Sequence, residues 1–350
     1  MIRKVTAAIA VLVLVLGILG SFIAMGQGES SRTAGASPLV AMLPASDVIV
    51  VGDGKRFFGE VPKVLAANQK ALTELLAHLD QLQAKTGIDL RKFETFAAGA
   101  SVTKLEGPGH KIAPVVIARG SVESAQVIEA AKKVAEGKAK AESVNGRTVY
   151  VVSSKDVIEL AKKHAPVSAN NKKAEDKAAH MTEDLAIAAV DANTVVFGYA
   201  SRVRETLEAR STVSNDLMAL LGKKPAGIAN FAARVPGGMS ALLPLDNDDL
   251  GTVINSIKAV YGSADVANGQ AAISLTAVTE RADQAEELKG TLEGLKSLGQ
   301  SFLGASKAAD KKLYAKLIAG VRLSNVGNEL NLDLAIPQAD IDALVSIIKK

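Results

Sequence analysis

The chain has 350 residues, 48% of them hydrophobic and 22% charged, with a formal net charge of +4. That apolar content suffices for one large domain or two of ordinary size and excludes a disordered chain. Aromatics make up only 3%, Trp and Cys are absent, and the charge is small. Nucleic-acid stacking platforms, disulfides, thiolate chemistry, Cys-based metal sites and a lipid-modified cysteine are therefore excluded.

Arg3 and Lys4 precede an uncharged run from Val5 to Met25, and polar Gln27-Gly-Glu-Ser-Ser31 follows. A basic head on an apolar stretch predicts export across the cytoplasmic membrane, with Arg3 and Lys4 left inside. Ala24 and Gly26 suit cleavage of residues 1–26 as a signal peptide. The run is also long enough to span a bilayer, which takes about 20 residues, so residues 5–25 equally suit an uncleaved membrane anchor. Either way the body is expected in a periplasmic or other extracytoplasmic space. Residues 27–42, with Gly35 and Pro38 after a Ser-rich start, read as a flexible tether.

The body reads as α+β: antiparallel sheets with helices on one face, after the N-terminal apolar helix. Its first strand is Val48-Ile-Val-Val51, four apolar residues in a row, as in a strand covered on both faces. A single long helix is expected next. Pro62 suits its first turn, Val61, Leu65, Leu72, Leu75, Leu76, Leu79 and Leu82 share a face, and Gly87 closes it. Phe96–Val102 and Val115–Ala118 are strand candidates around the loop Gly107-Pro-Gly-His-Lys111.

A hairpin followed by a helix then recurs. Asn145-Gly146 tolerates the positive φ of a tight turn, and a helix is expected near Asp156. The pattern returns at Asp191–Thr194 before a helix over Ser201–Arg210, at Asn268-Gly269 before one from Arg281, and at Val326–Asn328 before Pro337–Ile348. Four such units imply repeated β-hairpin–helix architecture. Residues 163–183, poor in apolar residues, read as a mobile insert between a first half (43–162) and a second (184–350).

In the helix from Arg281 to Leu303, Ala285, Leu288, Leu292, Leu295 and Phe302 follow a 3-4 spacing, and Gly290 and Gly294 stand four apart. Small residues so spaced admit another backbone, either from the helix's own sheet or from a partner helix or dimer seam. Four segments, Leu43-Pro-Ala-Ser-Asp47, Lys85–Phe93, Val203–Arg210 and Ile336–Asp342, together resemble an uncharacterised group of exported bacterial proteins. The resemblance implies export and brings no activity with it.

No motif carries chemistry. Ser101-Val-Thr-Lys104 has the Ser-x-x-Lys form, but on an expected strand, where positions three apart face opposite ways. None of His78, His110, His164 and His180 is four residues from another, so no helical metal face forms. Asp246-Asn-Asp-Asp249 fails the calcium-loop register at Leu250 and Ile257 and reads as a helix cap. Gly52-Asp-Gly-Lys55 reads as a turn. Catalytic, cofactor and metal residues are thus expected to be none. The expectation is a non-enzymatic binding or scaffolding module with a protein partner or self-association. A carrier of an apolar ligand and a hydrolase with a dispersed site are the alternatives.

Overall fold

The computed structural model describes residues 38–104, 110–164, 183–225, 227–236, 253–267 and 269–348. The N-terminal apolar helix, the Gly107 loop, most of the insert and the Asp246 cluster lie outside them. No helix among the described residues is long and apolar enough to cross a membrane.

The elements in chain order are β1 (Val48–Asp53), α1 (Gly54–Val64), α2 (Gln69–Thr86), β2 (Phe93–Lys104), β3 (His110–Gly120) and α3 (Ser124–Val134). Next come β4 (Lys140–Val144), β5 (Arg147–Val152), α4 (Ser154–His164), β6 (Leu185–Asp191), β7 (Thr194–Tyr199), α5 (Ala200–Glu208), α6 (Asn215–Leu221) and β8 (Ala229–Arg234). The chain closes with β9 (Ile257–Ala267), β10 (Gln270–Thr279), α7 (Ala282–Gly304), α8 (Ala309–Gly320), β11 (Arg322–Val326), β12 (Glu329–Pro337) and α9 (Gln338–Ile348). The hairpin–helix grammar holds at all four expected places, and β2–β3–α3 adds a fifth. Asn145 (φ 48°) and Gly146 (φ 75°) make the β4–β5 turn as their positive φ requires.

The long helix expected after β1 is two helices. Pro62 stands in the last turn of α1, whose start is capped by Asp53 accepting from the Arg56 amide at 2.8 Å. Asn68 then opens α2 by accepting from the Ala71 amide, and Gly87, at φ 76°, ends it. The tether also ends earlier than expected. Val40–Met42 forms a short 3-10 turn, and Leu39, Val40 and Leu43 are fully buried. An apolar Leu-Val pair gains more from the core than from the chain freedom of a linker.

Among the described residues the strands form one sheet of twelve, ordered β11-β12-β10-β9-β8-β1-β2-β3-β7-β6-β5-β4, every neighbouring pair antiparallel. It runs through both expected halves, for β6 and β7 sit between β3 and β5 and β8 pairs with β1. Helices cover both faces, correcting the one-face expectation. Adjacent Val195 and Val196 of β7 are both buried, but Val195 packs with Val127 of α3 and Val196 with Val203 and Leu207 of α5 and Leu217 of α6. Neighbouring strand residues point to opposite faces, so a run of apolar residues, as in β7, needs cover on each. In register terms α1, α3, α7 and α9 share one face, while α5 and α6 lie on the other over β1–β7.

Candidate functional site

The face carrying α5 and α6 changes character along the sheet. Over β1–β7 it is apolar, with Ile49, Ala97, Val115, Ile117 and Val196. Over β9, β10 and β12 the same register brings up Tyr261, Ser263, Asp265, Ser274, Thr276, Asn331 and Asp333. Ser274 Oγ donates to Asp333 Oδ1 at 2.7 Å, and Thr276 Oγ1 donates to Asn331 Oδ1 at 2.6 Å. The Tyr261 hydroxyl donates to Glu329 Oε2 at 3.0 Å, and Lys223 pairs with the same carboxylate. The ammonium groups of Lys223 and Lys224 lie 5.5 and 5.7 Å from the centre of the Tyr261 ring.

Burial pushes the Tyr261 phenol up to about 12, against the pull of the Thr276 hydroxyl, and its bond to the Glu329 carboxylate works in the same direction as burial. Burial also lowers the Lys224 ammonium, against the pull of Asp333 and Glu329. Arg56, reaching from the first turn of α1, holds Asp265 Oδ1 at 2.7 Å. Asp265 Oδ2 has no partner and is fully enclosed. Tyr261, Ser274 and Thr276 each spend the hydroxyl on a partner within the sheet, so this arrangement ties three strands together in register. The sequence reading missed it because alternating polar residues on a strand look the same whether they face water or a buried network.

The residues weighed for chemistry are scattered. Ser101 and Lys104 both lie in β2, in register with Ala113 and His110 of β3. His78 is exposed on α2, while His110 begins β3 and His164 ends α4. Gly52-Asp-Gly-Lys55 is the junction of β1 and α1, and a Cβ on Gly54 would lie 2.3 Å from the Phe93 carbonyl oxygen. Among the described residues no three His, Asp or Glu side chains gather as for a metal ion. A cleft of about 250 Å³ lies by α1, lined by Glu60, Lys63, Val64, Val266 and Gly269.

Gly290 and Gly294 face open space: a Cβ on either meets no atom within 4 Å. The close packing expected of them against their own sheet is therefore not made there. Gly299 instead packs on the next helix, where its Cβ would touch the Ile318 side chain of α8 at 3.4 Å. Ala285 and Leu288 anchor α7 on the sheet, with Leu288 packed against Val253 and Leu330. Beyond them the helix turns apolar side chains outward, with Leu295 46%, Leu298 68% and Phe302 78% exposed, and Tyr314 of the following helix α8 is 39% exposed.

No family model matches the chain, and no curated protein does. Among solved structures it is similar to TP0453 in crystal form I, at 8% identity and a TM-score of 0.42, covering 92% of this chain and 100% of that one. Crystal form III gives 8% and 0.44 over 89% and 98% of the two chains, and form IV gives 9% and 0.43 over 89% and 96%. Likeness at this level is too distant to bear on the chain's role.

Proposed function

We propose that this chain is an extracytoplasmic binding or scaffolding module that engages a protein partner through the surface of α7 and α8. The observation that carries it is where the exposed apolar side chains fall. Of the seven large hydrophobic side chains exposed among the described residues, four (Leu295, Leu298, Phe302 and Tyr314) belong to this one helical pair. Scattered surface leucines are ordinary, whereas a cluster on one element marks a contact surface. Apolar side chains pack into cores on both faces of the sheet, and the α1 cleft is lined by Glu60 and Lys63, which suits an apolar cargo poorly. The basic head and apolar run at Arg3–Met25 support the location.

The test is a photo-crosslinking residue placed at Leu298 of the full chain in its native cells. A covalent adduct under illumination, absent when the same residue replaces Glu293 on the opposite side of α7, is the expected result. Adduct-free chains at Leu298 would refute the reading.

A further inference from the structure

The exposed apolar positions of α7 follow a rule of spacing. Leu295, Leu298 and Phe302 continue backward to half-buried Thr291 and forward to exposed Ala305, a 4-3-4-3 series. That is the 3.5-residue repeat of a seam between two helices. A helix lying on a lipid surface presents a broader apolar face, but here exposed Gly294 and Ser301 border the stripe on one side. On the other side Leu292 and Gly299 are turned onto the sheet and α8. A narrow stripe with small neighbours fits one incoming helix.

The charges along α7 say which helix. Its start exposes Glu280, Asp283, Glu286 and Glu287 against one exposed cation, Arg281, which pairs with Asp283, and beyond its end Lys307, Lys311 and Lys312 are exposed. A parallel copy would set like charges together at both ends, whereas an antiparallel copy sets acid against base at both.

We propose that α7 pairs antiparallel with α7 of a second copy of this chain, about a two-fold axis between Lys296 and Ser297. In this register Leu295 meets Leu298 of the second copy, Thr291 meets Phe302, and Glu287 and Asp283, one and two turns before Thr291, come toward Lys307 and Lys311. The whole stripe is buried, and Gly294 borders the seam while Gly290 stands off it. An isologous pair of this kind closes on itself and does not propagate into a filament. The inference rests on the binding-module reading above and names its partner as the chain itself.

The chain has no cysteine, so introduced thiols report without background. In full-length chains carrying two different tags, Thr291→Cys co-expressed with Phe302→Cys is expected to give a mixed disulfide dimer. Neither variant alone should link, because eleven residues of helix set like positions about 16 Å apart along the axis. Glu293→Cys in place of either gives no dimer. Asp283→Lys with Glu287→Lys lowers the yield, and adding Lys307→Glu with Lys311→Glu restores it, a rescue that a merely structural effect would not produce. Self-linking of Thr291→Cys alone would show a parallel pair and overturn the proposal. So would the absence of mixed dimer, or reaction of Leu298→Cys with a bilayer-confined thiol probe in its place. A Leu298 photo-adduct to a different protein would overturn self-pairing and leave the binding-module reading standing.

Discussion

Replacing Tyr261 by Phe tests the closed polar network through its pH dependence. At neutral pH the variant loses the bond to Glu329 Oε2, 3.0 Å in length, while Glu329 keeps Lys223. Since no carboxylate is left alone, the cost is that of one hydrogen bond, about 1 kcal/mol. The phenol's folded pKa is raised to about 12, against about 10 in an unfolded chain. A raised group lends stability that is fully present below the unfolded value and is lost as pH climbs through the folded one. At pH 11 the unfolded phenol is about nine-tenths ionised and the folded one about one-tenth, and linkage makes the difference about 1.4 kcal/mol. The natural chain loses that amount between pH 7.5 and pH 11, and the Phe variant lacks it. Urea unfolding followed by circular dichroism should therefore show the variant about 1 kcal/mol less stable at pH 7.5 and about 0.4 kcal/mol more stable at pH 11. A gap between the two proteins that does not change with pH would refute the burial and bonding assigned to Tyr261.

A reporter fused after Ser37 should be active only outside the cytoplasm, and the mass of the native chain decides between cleavage near Gln27 and a retained anchor. Because a Cβ on Gly290 or Gly294 meets open space, Gly290→Ala and Gly294→Ala should each stabilise the chain by up to about 1 kcal/mol in thermal unfolding. Destabilisation by either would show a backbone packed over it. Leu217→Ala, at a side chain of 0% exposure between α6 and the sheet, should cost roughly 3–5 kcal/mol in urea unfolding, and a cost under about 1 kcal/mol would mean that α6 is loosely held.

What the sequence made legible was local. Asn145-Gly146 declared its turn because positive φ is a property of two residues, and Gly87 declared the end of α2 in the same way. Pro62 misled because proline is tolerated in a first turn, yet α1 starts at Gly54, eight positions earlier, through the Asp53 cap. Strand order is not local: β1 pairs with β8, Val48 lying opposite Ala233, and no turn residue announces a partner so distant. The single sheet and the helices on its second face were hidden for that reason. The sign that was available was the unbroken apolar run, Val48–Val51 in β1 and Val195–Phe197 in β7, which already spoke for strands covered on both faces. The exposed stripe of α7 was half visible, since the same leucine spacing served both the face that packs and the one that does not. Gly290 and Gly294 drew attention to the right helix for a packing role they do not play within it.

The interleaving of the sheet also dictates an order of assembly. β1 is its centre, and its hydrogen bonds on one side wait for β8, whose first residue is Ala229. A chain emerging from its N-terminus can complete β2 and β3 against β1 early, but β3 then presents an open edge until β7 arrives and β1 another until β8 does. Long-range antiparallel pairing of this kind folds slowly, and open edges recruit other strands meanwhile. A chain cut within residues 163–183 would therefore release an N-terminal piece with β1, β3 and β5 each open along one edge, prone to join its neighbours edge to edge. The rest of the chain acts as the cover for its first strands, and holding those edges apart until it arrives is the main hazard of making this protein.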